Sequence, residues 1–189
     1  KFSVHEPEEF WDGIWEHARL IGIKKGPTMV RRTEMPGAQF YPESLINFAE
    51  NCLAHNAPEN EIAIISYTET GARAELTWKE LRQRVANFRY TLSELGVQSE
   101  DVVAGFVSNG SEAIVASLAT LSLGAIWTSC SPDFGVQGVL DRFGQTNPKV
   151  LVAAHSARYN NKSIDLTDRV NGLLSELPSI TASIVFLGA

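Results

Sequence analysis

Four short apolar runs recur in the second half of the chain, at residues 102–107, 125–130, 150–154 and 184–187, and a stretch of helical periodicity separates each from the next. A helix that follows a strand carries the chain back to the sheet's starting end. Successive strands then pair in parallel. Parallel strands covered on both faces read as continuous apolar runs rather than alternating ones. The pattern predicts an α/β fold, a mostly parallel sheet flanked by helices.

The clearest unit is LATLSLGAIWTSCSPDFG, residues 118–135. An apolar helix stops at Gly124, a strand follows over 125–130, and the chain leaves it through Ser131-Pro132-Asp133-Phe134-Gly135. Leu118, Leu121, Ile126 and Trp127 are expected in the core. Loops at such strand exits are where ligands bind in open α/β sheets.

The other helices carry their own punctuation. Thr77-Trp78-Lys79-Glu80 is a capping box, in which the Thr77 hydroxyl accepts from the Glu80 N–H and the Glu80 carboxylate accepts from the Thr77 N–H. The helix it opens places Leu81, Val85, Phe88, Leu92 and Leu95 inward and ends at Gly96 in a left-handed cap. Asn109-Gly110-Ser111-Glu112 opens the next helix. Residues 135–145 form another, with Val136, Val139, Leu140 and Phe143 inward, and Pro148 forbids its continuation. Residues 155–165 read as a polar loop, and 166–177 as a helix closed by Pro178. Upstream, 62–67 and 73–76 read as a hairpin around Thr68-Glu69-Thr70-Gly71.

The N-terminal part differs in character. A helix is expected at about 7–20, where Phe10, Trp11, Ile14 and Trp15 form an aromatic stripe that docks on a larger body. Residues 26–42, with Gly26-Pro27, Pro36-Gly37, Arg31 and Arg32, read as an extended arm. Pro42 opens a helix expected at about 43–56, with Leu45, Phe48, Ala49, Cys52 and Leu53 on one face. Residues 1–60 are thus expected to form a helical and extended region that packs on a larger body, and 61–189 an α/β subdomain expected to be incomplete, since the chain stops just after an apolar strand.

Charge and composition exclude several functions. The chain has 189 residues and a net charge of −6, without the basic excess of a nucleic-acid-binding domain. No apolar run approaches the ~20 residues that span a bilayer. The start, KFSVHEPEEFWDG, is acidic and lacks the apolar core of a secretory signal. Cys52 and Cys130 sit among apolar neighbours and read as reduced thiols, which fits a cytoplasmic protein. His5, His17, His55 and His155 are scattered, and no spacing suits a metal. Lys24-Lys25-Gly26-Pro27-Thr28 lacks the glycines of a phosphate cradle. A dinucleotide fingerprint, a Walker loop and a Gly-x-Ser-x-Gly elbow are all missing. The residues alone lead to an α/β domain with ligand loops after Val107, Cys130 and Ala154.

Particular segments carry a resemblance. Phe2-Ser3-Val4 with Glu9-Phe10-Trp11 and Trp15 resembles the start of acyl-CoA synthetases that activate short acids. Leu76-Thr77-Trp78-Lys79-Glu80-Leu81 is similar to a helix start used across adenylate-forming enzymes. MPGAQFYP at 35–42, LINFAEN at 45–51, Gly124-Ala125-Ile126-Trp127 and Ser131-Pro132-Asp133-Phe134-Gly135 resemble the acetoacetyl-CoA synthetase family. Tyr159-Asn160-Asn161-Lys162 is similar to that family's Tyr-Asn-Gly-Lys, with Asn161 in place of glycine.

The resemblance implies the N-terminal part of the large domain of an adenylate-forming enzyme. It implies a ligase that joins acetoacetate to ATP with Mg2+, releasing pyrophosphate, and passes the acyl group to coenzyme A. The glycine-rich phosphate loop, the adenine motif, the ribose-binding aspartate and the catalytic lysine of such enzymes are expected beyond Ala189. No catalytic or metal-binding residue is therefore expected within this chain, and the chain alone is expected to be inactive. The resemblance places Ser131, Pro132 and Asp133 beside the adenine of coenzyme A. It places Tyr159, Asn160, Asn161 and Lys162 near the coenzyme's phosphates. Tyr159 and Lys162 stand where acetyl-CoA synthetases carry two cations, and Arg158 is a substitute for the missing one. The expected partners are the small-molecule substrate and the remainder of the chain, with no nucleic acid and no membrane. Acetate or propionate as the acid, or a non-catalytic interaction domain, are the alternative readings.

Overall fold

A computed structural model describes residues 1–31, 34, 36–54, 56–160 and 162–187. Arg32, Thr33, Met35, His55, Asn161, Gly188 and Ala189 lie outside the described residues, and Tyr159 is described by its backbone alone. The chain divides into two compact units, Lys1–His55 and Asn56–Ala189.

The first unit contains α1 (Phe2–His5), α2 (Pro7–His17), β1 (Gly22–Ile23), β2 (Met29–Val30), β3 (Gln39–Phe40), β4 (Leu45–Ile46) and α3 (Phe48–Leu53). Pro7 opens α2, with Glu8 and Glu9 in its first turn, where a missing N–H and negative charge both suit a helix start. Asp12 on α2 gathers the arm. One of its carboxylate oxygens accepts from the Thr28 hydroxyl at 2.7 Å and the Tyr41 hydroxyl at 3.1 Å, and pairs with the Lys24 ammonium at 2.8 Å. The bond from Lys24 leads the contacts that hold the Asp12 carboxyl below its ordinary value. Burial, and then the bond to Asp12, push Tyr41 up to about 12.

The expected extended arm is paired: β2 pairs with β3 within it, and β1 with β4 beyond its ends, both antiparallel. The helix expected at 43–56 begins only at Phe48. Leu45 and Ile46 are extended against Ile23 and Gly22, and the Asn47 side chain caps α3 by accepting from the Glu50 N–H at 3.0 Å. Ala49 is buried, whereas Leu45 and Phe48 are exposed, so they share no buried face. Of the expected aromatic stripe only Trp15 is buried.

The second unit begins with an antiparallel hairpin, β5 (Ile62–Tyr67) and β6 (Arg73–Thr77), which leads into α4 (Trp78–Glu94). Both bonds of the Thr77–Glu80 capping box are present. Leu81, Val85 and Leu92 are buried, and Gly96 adopts φ +77° after the helix. The chain continues through β7 (Val102–Phe106), α5 (Ser111–Ser122), β8 (Ile126–Cys130), α6 (Val136–Phe143), β9 (Val150–Ala154), β10 (Ser156–Tyr159), β11 (Lys162–Asp165), α7 (Thr167–Glu176) and β12 (Ala182–Phe186).

Strands β12, β9, β7 and β8 form one sheet in that order, and every pairing is parallel. Helices α6 and α7 cover one face, where Val139, Phe143, Leu166, Val170 and Leu173 pack with Ala104, Phe106, Leu151 and Ala153. Helices α4 and α5 pack together, and α5 contacts β7 and β8. Phe88 of α4 stacks on Phe186 of β12, with ring centroids 5.7 Å apart. Because β8 is an edge strand, Ile126 is half exposed rather than part of the core.

Trp127 turns inward onto Gly105 of β7. A Cβ built at Gly105 would lie 2.4 Å from the indole, so only glycine leaves room for the ring. Gly105→Ala is expected to cost about 1–3 kcal/mol of stability by overpacking. On a Trp127→Ala background the same change is expected to cost clearly less. Urea unfolding of the four proteins measures the difference, and an equal cost on both backgrounds contradicts the contact.

Candidate functional site

The sheet reverses its winding between β7 and β9. From β7 the chain passes through α5 to β8 on one side, while β9 lies on the other side of β7 and leads through α7 to β12. The loops that leave β7 and β9 diverge, and a crevice opens beyond the carboxyl ends of the strands, as in other open α/β sheets. A cleft of about 650 Å³ lies there. The tip of the β5–β6 hairpin, Asn109, Ser111, Ser156, Arg158 and Phe186 are among its walls.

The loop after β8 lies on the α6 and α7 side. Ser131 Oγ donates to Asp133 Oδ2 at 3.0 Å, and the Phe134 N–H donates to the Ser131 carbonyl at 3.2 Å. These local bonds set the loop's shape. Arg169 on α7 donates from Nη1 to the Pro132 carbonyl at 2.7 Å. Arg142 on α6 places its guanidinium 4.3 Å from the Phe134 ring centroid, a cation–π contact, while donating to the Gly138 carbonyl at 2.6 Å. Cys130, at the loop's root, is buried, and burial pushes its thiol up, away from the thiolate form that reacts.

Residues 156–165 are not a polar loop but the antiparallel hairpin of β10 and β11. Tyr159 pairs with Lys162 across a two-residue turn, in which Asn160 takes φ +50°. Asparagine tolerates that left-handed conformation, and two such residues between short strands are a turn signal legible in the sequence. The hairpin's base is fixed twice. The Leu166 N–H donates to the His155 carbonyl at 2.9 Å, and Asp165 Oδ1 accepts from the Thr167 N–H at 2.7 Å. Bonds from Thr167 hold the Asp165 carboxyl below its ordinary value.

Alternation along the hairpin sorts the expected cations. Ala157 and Ile164 are opposite each other and pack on the α6–α7 core, which also holds Cys130. Lys162 lies two residues before Ile164 and shares its face. Arg158 lies on the other face, and both it and Ala157 are among the walls of the cleft. Lys162 therefore shares the hairpin face that carries Ala157 and Ile164, and Arg158 the opposite face. The two cations do not converge. Lys162 and Arg158 are both exposed, and neither has an ion pair among the described residues. Asn160 is at the turn, and Asn161 lies outside the described residues.

The sequence did not point to Arg169 or Arg142. Arg169 reaches a carbonyl 37 residues earlier, and no local spacing encodes that contact. Among the described residues no group of three or more His, Cys, Asp or Glu side chains could hold a metal ion, and no helix is long and apolar enough to cross a membrane.

The AMP-binding enzyme family matches residues 50–186. The chain belongs to this family. Among curated relatives, the acetoacetyl-coenzyme A synthetase of Rhizobium meliloti (strain 1021) is 40% identical over 99% of this chain and 28% of its own length. The malonamoyl-CoA synthetase of Penicillium aethiopicum is 35% identical over 97% of this chain and 26% of its own. The solved acetoacetyl-CoA synthetase from Streptomyces lividans is 39% identical, covers 97% of this chain with a TM-score of 0.90, and is itself covered over 29%. The chain thus spans between a quarter and a third of the length of these AMP-binding relatives. The parallel sheet flanked by helices is the fold expected of the N-terminal part of such an adenylate-forming enzyme.

Proposed function

We propose that this chain is the N-terminal part of a cytoplasmic ligase that activates acetoacetate with ATP to an acyl-adenylate and transfers it to coenzyme A. The products are acetoacetyl-CoA, AMP and pyrophosphate. The observation that carries this reading is the likeness to acetoacetyl-CoA synthetases along nearly the whole chain, in sequence and in backbone. Residues 1–60 are read as a region that packs on the large domain, and 61–189 as an incomplete subdomain of it. The remainder of the protein would supply the ATP site and the catalytic lysine. Mg2+ belongs to the proposed reaction, but the described residues offer no cluster that fits it, so no step is assigned to it within this chain.

Coenzyme A would supply the thiol that displaces AMP. Lys162 fits its phosphates, because its ammonium is exposed and has no ion pair among the described residues. We assign it a charge-assisted contact there, with Tyr159 and Asn160 contributing the turn beside it. Asp133 is exposed and anionic and does not fit a phosphate. The loop of Ser131, Pro132 and Asp133 is therefore read as a wall beside the adenine, offering backbone rather than charge. Arg158 is read as approaching the same phosphates from the opposite face of the hairpin.

The malonamoyl-CoA synthetase relative favours a second reading of the acid alone, in which another short carboxylic acid replaces acetoacetate. Purified complete enzyme, assayed for thioester formation with acetoacetate, acetate, propionate and malonamate, tests both. Preference for acetoacetate supports the first reading, and preference for another acid the second. Absence of acid-dependent pyrophosphate release overturns the ligase reading. In the complete enzyme, Lys162→Ala is expected to raise the KM for coenzyme A by about tenfold, the order of one charge-assisted hydrogen bond, while acetoacetate-dependent ATP–pyrophosphate exchange stays near its original rate. Equal loss in both half-reactions contradicts the assignment. The 189-residue chain alone is expected to release no pyrophosphate with acetoacetate and ATP.

A further inference from the structure

The two segments proposed to hold coenzyme A leave the sheet from different strands. The 131–135 loop follows β8, an edge strand. The β10–β11 hairpin follows β9, and β7 lies between the two strands. A ligand that touches both segments needs their separation fixed. The loop's own bonds cannot do this, because Ser131, Asp133 and Phe134 bond within the loop.

Arg169 is placed to supply the missing constraint. It stands in the first turn of α7, which follows β11 with only Leu166 between them. Leu166 is fully buried, and its N–H is bonded to the His155 carbonyl at the hairpin's base. The first turn of α7 is therefore continuous with the hairpin. From there the Arg169 guanidinium donates to the Pro132 carbonyl at 2.7 Å. Among the described residues no other side chain from outside the loop hydrogen-bonds to residues 131–135. Arg142 adds a ring contact to Phe134, but it belongs to α6, which continues directly from the loop, and so says nothing about the hairpin.

We infer, on the ligase reading proposed above, that Arg169 is a positioning residue that holds the 131–135 loop at a set distance from Lys162 and so keeps the two halves of the coenzyme A site together. It acts through the Pro132 carbonyl and touches no reacting atom. Its effect falls on coenzyme A binding as a whole, because the loop moves as a unit when the tie is lost. Adenylation, which precedes the thiol, does not depend on it.

The test uses the complete enzyme with Arg169→Met, which keeps much of the apolar stem and removes the donors, and Arg169→Lys, which keeps a cationic donor. Thioester formation is measured with coenzyme A and with dephospho-coenzyme A, and acetoacetate-dependent ATP–pyrophosphate exchange is measured beside it. Arg169→Met is expected to raise the KM for both thiols by a similar factor, about tenfold for one lost charge-assisted bond, with exchange unchanged. Arg169→Lys is expected to recover part of the loss. An unchanged KM overturns the proposal. So does an equal loss of exchange and thioester formation, which marks a general folding role. A loss with coenzyme A but not with dephospho-coenzyme A also overturns it, because it marks a direct contact with the 3′-phosphate. Should Arg169→Met fail to fold, Arg169→Lys carries the same comparison, with a smaller rise in KM expected for both thiols. If the unsubstituted enzyme makes no thioester with any acid, the ligase reading itself fails and this proposal with it, an outcome distinct from a change seen only in the variants.

Discussion

Strand β7 is hydrogen-bonded along both edges and covered on both faces. Val103, Ala104 and Phe106 have no solvent exposure, and β8 and β9 flank them in parallel register. A strand in that position contributes its apolar area only if helices lie above and below it, so both helical layers follow from its sequence. The same placement forces the chain to wind one way from β7 to β8 and the other way from β9 to β12. The crevice at the carboxyl ends of the strands is the geometric consequence. The cleft is positioned here by the burial of one central strand.

The two ends of the sheet are treated differently. At the amino end the connections are stitched closely. Lys149 donates from Nζ to the Gly96 carbonyl and to Asp101 Oδ2, each at 2.7 Å, while its own backbone is bonded to Val102 and Thr181. The bond from Lys149 leads the contacts that hold the Asp101 carboxyl below its ordinary value. At the carboxyl end, the chain instead projects a loop and a hairpin whose tips carry Asp133, Asn160 and Lys162 into solvent. Rigid stitching at one end and presented loops at the other is a sound division for a binding fold, since contact residues on loops depend on a fixed scaffold for their precision.

Much of this is legible in the sequence. Strands β7 and β9 announced themselves because doubly buried strands must be apolar at every position, and the α4 boundaries because Thr77, Glu80 and Gly96 act locally. The failures share a cause. The short strands β1 and β4 pair across 20 residues and more, and their partners cannot be inferred from local periodicity. Asn47 as the α3 cap was hidden because Pro42 offered an earlier apparent start. The hairpin after β9 was masked by its polarity, although Asn160 and its neighbour are turn formers. Ile126 looked like core because the apolar run does not say which strand lies at the edge. Of the candidate site, the loop at 131–133 and Lys162 were picked out by resemblance, whereas the division between Arg158 and Lys162 needed the hairpin's register. Arg169 could not be seen, because a side chain reaching a distant carbonyl leaves no trace in spacing.

In the proposed function, the loop after β8 and the hairpin turn bearing Lys162 form one ligand surface, distinct from the cleft between the β5–β6 hairpin tip and Arg158. Hydrogen exchange of the complete enzyme with and without coenzyme A tests this most directly. Within residues 1–189 the strongest protection is expected at 131–135 and 160–165. Protection centred on 66–74 and 107–112, with the loop and the hairpin turn unchanged, would contradict it.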